Sequence, residues 1–227
     1  MLFAKDITKS WIRTETLGRK KRRAALVLER LEAAYPNAKI ALKYGTPMQL
    51  LAAVIMSTQA TDKKVNEITA TLFRKYKTVG DFAKLDPRKL AEEIRAIGFY
   101  RAKALAIVTS ARILRDKFGG KLPRTMQEML LLRGVARKTA NVVLGNAYGV
   151  TEGIAVDTHV RRLSQRLGFS THDDPVKIER DLMALFPKEK WFKLTYMLID
   201  HGRATCTARG RTCSTCPVRK MCPSSLA

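Results

Sequence analysis

The chain has 227 residues, 43 of them Lys or Arg and 20 Asp or Glu, for a formal net charge of +23 and an isoelectric point near 10.3. With 46% hydrophobic residues it can bury a core, as one large domain or two small ones, which excludes a chain disordered throughout. So large a positive excess, spread along the sequence, points to a polyanionic partner. Nucleic acid is favoured over a lipid surface, because no stretch reaches the roughly 20 apolar residues of a membrane-spanning helix.

The opening residues, MLFAKDITKSWIRTETLGRKKRR, lack the apolar core and small-residue cleavage site of a secretory signal, so a cytoplasmic location is expected. Residues 1–23 read as a basic arm, mobile in the free protein, that ends in the run Arg19, Lys20, Lys21, Arg22, Arg23. The arm reads equally as a phosphate contact and as a solvated tail. A helix is expected near 22–35. Thr46-Pro47, Asp86-Pro87 and Asp174-Pro175 each set a capping side chain before a proline at the first helical position. Amphipathic runs follow at helical spacing: Leu50, Leu51, Val54 and Ile55, then Val65, Ile68, Leu72 and Tyr76, then Leu90, Ile94 and Ile97. Further helices are expected near 99–118, 126–132, 136–147, 158–167, 175–186 and 190–201. With short loops between them and no alternating strand of convincing length, the fold class is all-α.

Three constellations carry chemistry. The segment LLRGVARKTANVV, Leu131 to Val143, reads as a helix-hairpin-helix: one helix ends at Leu132 and turns through Arg133, Gly134, Val135 and Ala136 into a second. Such a turn offers free backbone N–H groups and the positive end of the second helix to a phosphate without reading base sequence. Lys138 falls in the first turn of that second helix, as a candidate nucleophilic amine or a further phosphate contact. In GIAVDTHVRRLSQRLG an apolar, strand-like stretch delivers Asp157 just before a helix starting at Thr158. This carboxylate reads as a helix cap; facing a cleft near Lys138, it would also serve acid–base and electrostatic roles.

The third constellation is the cysteines, Cys206, Cys213, Cys216 and Cys222, spaced C-x6-C-x2-C-x5-C. Four thiols so close together cannot staple distant parts of a fold, so they read as a local metal site. Four thiolates suit zinc or a 4Fe-4S cluster, with chemistry alone leaning to zinc. Arg203, Arg209, Arg211, Arg219 and Lys220 surround them, offsetting thiolate charge and available to DNA. The stretch after Gly202 needs such a group to become ordered.

Taken together, MSTQATDKKVN (56–66), AIGFYRAKA (96–104), GVARKTANVV, IAVDTH and the cysteine spacing resemble the endonuclease III family in order, spacing and residue type, across about residues 24–222. The resemblance implies two helical domains flanking a DNA-binding cleft. One is a six-helix barrel, here 40–150, with the helix-hairpin-helix; the other joins the N-terminal helix, 24–39, to residues 151–227 and holds the cluster. It implies a monomeric base-excision enzyme that is both glycosylase and abasic-site lyase, acting on oxidised pyrimidines in duplex DNA. A monofunctional glycosylase of the same fold and a DNA-binding member without turnover are the alternatives. By matching motif, Lys138 is implied as the amine that attacks C1′ of the flipped nucleotide and forms a Schiff base. Asp157 is implied as the carboxylate that assists proton transfer and stabilises the cationic sugar, and the four cysteines as ligands of a 4Fe-4S cluster. Gln59 matches the residue that fills the gap left by the extruded base. Phe99 stands where the family usually has a leucine that wedges into the duplex, Arg133 where it has proline, and Ala136 where it has a second glycine. A left-handed Ala136 would cost roughly 1–2 kcal/mol, a helical one nothing.

Overall fold

The computed structural model describes residues 7–227; the first six residues of the expected basic arm lie outside the described residues. The α-helices are α1 (Leu17–Ala34), α2 (Pro47–Ser57), α3 (Asp62–Lys75), α4 (Val79–Ala83), α5 (Pro87–Glu93), α6 (Tyr100–Lys117), α7 (Met126–Met129), α8 (Arg137–Tyr148), α9 (Thr158–Arg166), α10 (Pro175–Leu185) and α11 (Lys188–Ala204). No strand occurs among the described residues, so the fold is all-α. Their starts are written locally. Thr46, Thr61, Thr78 and Thr125 each accept a hydrogen bond from the backbone N–H three residues on, and Asp86 and Asp174 cap the proline-led helices α5 and α10. Each such cap stabilises its helix by about 1 kcal/mol.

The chain divides into two compact units, Ile40–Glu152 and Met1–Lys39 with Gly153–Ala227. In the first, α2 is the central helix. Every residue from Met48 to Met56 is buried, the pattern of a helix covered on all sides, and α3, α6 and α8 pack around it. Helix α6 in turn packs on α4 and α5. In the second unit, α1 contributes Ala24, Val27, Leu28 and Leu31 to a core completed by Val160, Leu163, Phe169, Ile178, Leu182, Leu194 and Met197.

Two expectations are corrected. Helix α1 begins at Leu17, not near 22, because the Thr16 side chain caps it by accepting from Arg19 N. The end of the basic run is not solvated. The buried Arg23 holds both carboxylate oxygens of Glu15 at 2.7 and 2.8 Å and donates to Leu167 O at 2.6 Å. Upstream, Thr8 N and Lys9 N donate to Pro223 O at 2.9 and 3.0 Å, so this part of the arm is docked on the C-terminal segment. The strand-like Ile154, Ala155 and Val156 are buried but have no strand partner; Thr195 Oγ1 donates to Ala155 O at 3.4 Å instead. Among the described residues no helix is long and apolar enough to cross a membrane.

Candidate functional site

In the Ile40–Glu152 unit the turn from Leu130 to Ala136 joins α7 to α8. Gly134 has φ of +76°, and a Cβ there would lie 2.9 Å from the Ala106 Cβ, so both backbone and space demand glycine. Val135 is buried and its N–H donates to Leu132 O at 3.2 Å, while Ser110 Oγ donates to Arg133 O at 2.9 Å. These contacts pin the turn from within and leave the Arg133 side chain exposed. Ala136 is the N-cap of α8 in an extended conformation, φ −96° and ψ 172°, so the cost of a left-handed alanine does not arise. It supplies no capping side chain, so the first N–H groups of α8 take none from it. Lys138, the second residue of α8, is exposed.

Gln59 and Phe99 share a property that no motif revealed. Among the described residues they are the only non-glycines with positive φ, 55° and 58°. Gln59 is exposed, and Phe99, at 69% exposure, holds its ring in solvent at the N-cap of α6. Left-handed backbone costs such residues roughly 1–2 kcal/mol each, and strain of this kind concentrates at functional sites. Between them lies a residue that the sequence reading passed over. Lys103, 6% exposed, points its ammonium at the end of α2, donating to Met56 O at 3.0 Å and to Thr58 O. The available signal was a lysine on the core stripe of α6, in line with Ile107, Ala111 and Leu114.

In the other unit, Asp157 is the N-cap of α9. Its Oδ1 accepts from His159 N and Val160 N at 2.8 Å each, and its Oδ2 lies 3.1 Å from His159 Nδ1. All four cysteines line one pocket, together with Arg166, His201, Arg211 and Arg219. Arg166 Nη1 donates to Cys206 Sγ at 3.3 Å, and His201 Nε2 lies 3.7 Å from Cys216 Sγ. Burial pushes the Cys222 thiol up to about 11 and raises that of Cys216. Burial also lowers His201 to about 4, leaving it neutral. The donor set, four sulfurs around one pocket beside three arginines, is compatible with an iron-sulfur cluster.

The chain is similar to known proteins over most of its length. The model of the HhH-GPD superfamily of base excision DNA repair proteins matches residues 52–188. Endonuclease III of Synechocystis sp. is 47% identical over 92% of this chain and 95% of its own length, and that of Escherichia coli is 37% identical over 86% and 92%. A solved structure of a trapped endonuclease III–DNA covalent intermediate has a TM-score of 0.86 at 41% identity, covering 90% of this chain and 96% of that one. A thermostable thymine-DNA glycosylase, at 24% identity and a TM-score of 0.78, shares the fold. The chain therefore belongs to the HhH-GPD superfamily of base excision DNA repair proteins and, within it, to the endonuclease III family.

Proposed function

We infer that the protein is a base-excision DNA glycosylase and abasic-site lyase that removes oxidised pyrimidines from duplex DNA and nicks the strand. The observation that carries this reading is Lys138, exposed in the first turn of α8 directly after the Arg133–Ala136 turn, in a chain 41% identical to an endonuclease III trapped covalently on DNA. The net charge of +23 supports a DNA partner.

The turn at Gly134 and the N-terminal end of α8 hold a backbone phosphate. The damaged nucleotide, weakly stacked and paired, is extruded at lower cost than an intact one. The Lys138 amine attacks C1′; the bond from C1′ to the base breaks and the base departs with a proton. The sugar ring opens to a Schiff base, and loss of a C2′ proton expels the 3′ phosphate, which is the nick. The Asp157 carboxylate stabilises the cationic sugar and helps move these protons. Gln59 fills the space the base has left, and the exposed Phe99 ring stacks beside it. Cys206, Cys213, Cys216 and Cys222 hold a 4Fe-4S cluster. When bound, that group would order the C-terminal loop, which carries the exposed Arg209, Arg219 and Lys220 toward DNA.

A monofunctional glycosylase would activate water and needs no exposed amine at position 138. A nicking assay on thymine-glycol and abasic duplexes, beside a binding assay, separates the readings. Nicking of both duplexes is expected. Base release without nicking would establish the monofunctional reading, and binding alone would remove the enzyme reading.

A further inference from the structure

We propose that Lys103 is a positioning residue that locks the Gln59 and Phe99 loops to each other, so that the two act as one device on the duplex. The proposal rests on the reading above that both residues act where the base is extruded.

One side chain and one backbone group make the link. The Lys103 ammonium donates to Met56 O at 3.0 Å and to Thr58 O, the carbonyls three and one residues before Gln59. They lie at the C-terminal end of α2, where the helix dipole favours a cation. The backbone N–H of Lys103 donates to Phe99 O at 3.0 Å, closing the first turn of α6 on its left-handed N-cap. The two loops are distant in sequence, yet this one residue is bonded to both.

An apolar side chain would fill this position without burying a charge. Lys103 is 6% exposed and burial lowers its pKa from the ordinary lysine value, so the ammonium carries a desolvation cost that an apolar residue of similar length would avoid. What the ammonium adds is direction: two fixed donors that hold the carbonyls leading into a strained residue. Backbone strain persists only where the surroundings over-determine it, and Lys103 contributes to those surroundings at both residues, through its side chain before Gln59 and through its backbone N–H at Phe99.

The consequence falls on one step. Extruding a base from a paired duplex breaks stacking and pairing that an abasic site has already lost, so base excision depends on the two loops more heavily than abasic-site nicking does. In the full-length holoenzyme, Lys103→Met keeps the apolar stem and removes the donors. The ratio of thymine-glycol excision rate to abasic-duplex nicking rate should fall about tenfold, an expectation scaled to the loss of directed hydrogen bonds to a charged group. Lys103→Gln, which restores a donor without the charge, should recover part of the ratio and takes the place of Lys103→Met if that variant does not fold. With 2-aminopurine opposite the lesion, the fluorescence rise on binding should shrink in Lys103→Met. A ratio unchanged in the variants, whether both rates hold or both fall in parallel, would overturn the proposal, because a purely structural lysine lowers the two rates together. Gln59→Ala and Phe99→Ala, measured alongside, isolate the underlying reading: if neither moves the ratio, that reading fails on its own account.

Discussion

The Asp157 carboxylate and His159 are joined twice, through Oδ1 to the backbone N–H at 2.8 Å and through Oδ2 to Nδ1 at 3.1 Å. One oxygen is thus committed to capping α9, while the other faces an imidazole, so two substitutions separate the cap from the charge. Asp157→Asn keeps an acceptor on the His159 and Val160 N–H groups and should change thermal stability little, since Asn and Asp cap equally well. It should slow base removal about 100-fold or more, the scale of losing one preorganised electrostatic partner. Asp157→Ala should lose the activity and about 1 kcal/mol of stability as well. Full activity in both variants would leave the carboxylate as a cap alone.

Gly134 is the least replaceable residue of the hairpin. Its φ of +76° and the 2.9 Å approach of the Ala106 Cβ mean that Gly134→Ala meets a left-handed penalty and a contact that must relax, together about 2 kcal/mol. Denaturant unfolding measures that loss. Affinity should fall by the same factor for damaged and undamaged duplexes, because a turn that grips phosphate reads no base. A fall confined to damaged DNA would place the hairpin in lesion recognition instead.

Glu15 and Arg23 form a buried ion pair, 6% and 8% exposed in their side chains, with the Arg23 guanidinium also over the rings of Trp11 and Phe169. Glu15→Ala strands the guanidinium and should cost about 3 kcal/mol. Replacing both partners, Glu15→Leu with Arg23→Met, should cost less than Glu15→Ala alone. Urea unfolding of the three proteins decides it; a double variant less stable than the single one would contradict the pair's role.

Local signals carried most of the fold. Thr46-Pro47, Asp86-Pro87 and Asp174-Pro175 begin helices where they stand, because capping and proline chemistry act within four residues. The start of α1 was less legible: Arg19 to Arg23 look solvated in sequence, and the groups that bury Arg23, at Glu15 and Leu167, include one 144 residues away. Lys103 was invisible for the same reason, its carbonyl partners being 45 and 47 residues upstream. The left-handed backbone at Gln59 and Phe99 has no sequence signature, since neither residue is glycine or asparagine. Ala136 reads in sequence as left-handed or helical, and it is neither: it is the extended N-cap of α8.

The cysteine cavity makes a compositional prediction. Protein made under iron-replete, anaerobic conditions should be yellow-brown and hold about four iron and four labile sulfide per chain. Cys222→Ser should lose both and release residues 206–222 to rapid hydrogen exchange, since the cluster orders that loop. Stoichiometric zinc without sulfide would contradict the cluster.

The most direct measurement of the whole account is covalent trapping. Lys138 is exposed at the start of α8, and on this mechanism its amine becomes a Schiff base with C1′ that borohydride reduces to a permanent bond. With a thymine-glycol duplex, the parent protein should give a protein–DNA adduct whose peptide map carries the sugar remnant on Lys138. Lys138→Gln should give neither adduct nor nick, while duplex affinity falls only by the share of one exposed charge. Undiminished trapping and nicking by Lys138→Gln would contradict the account.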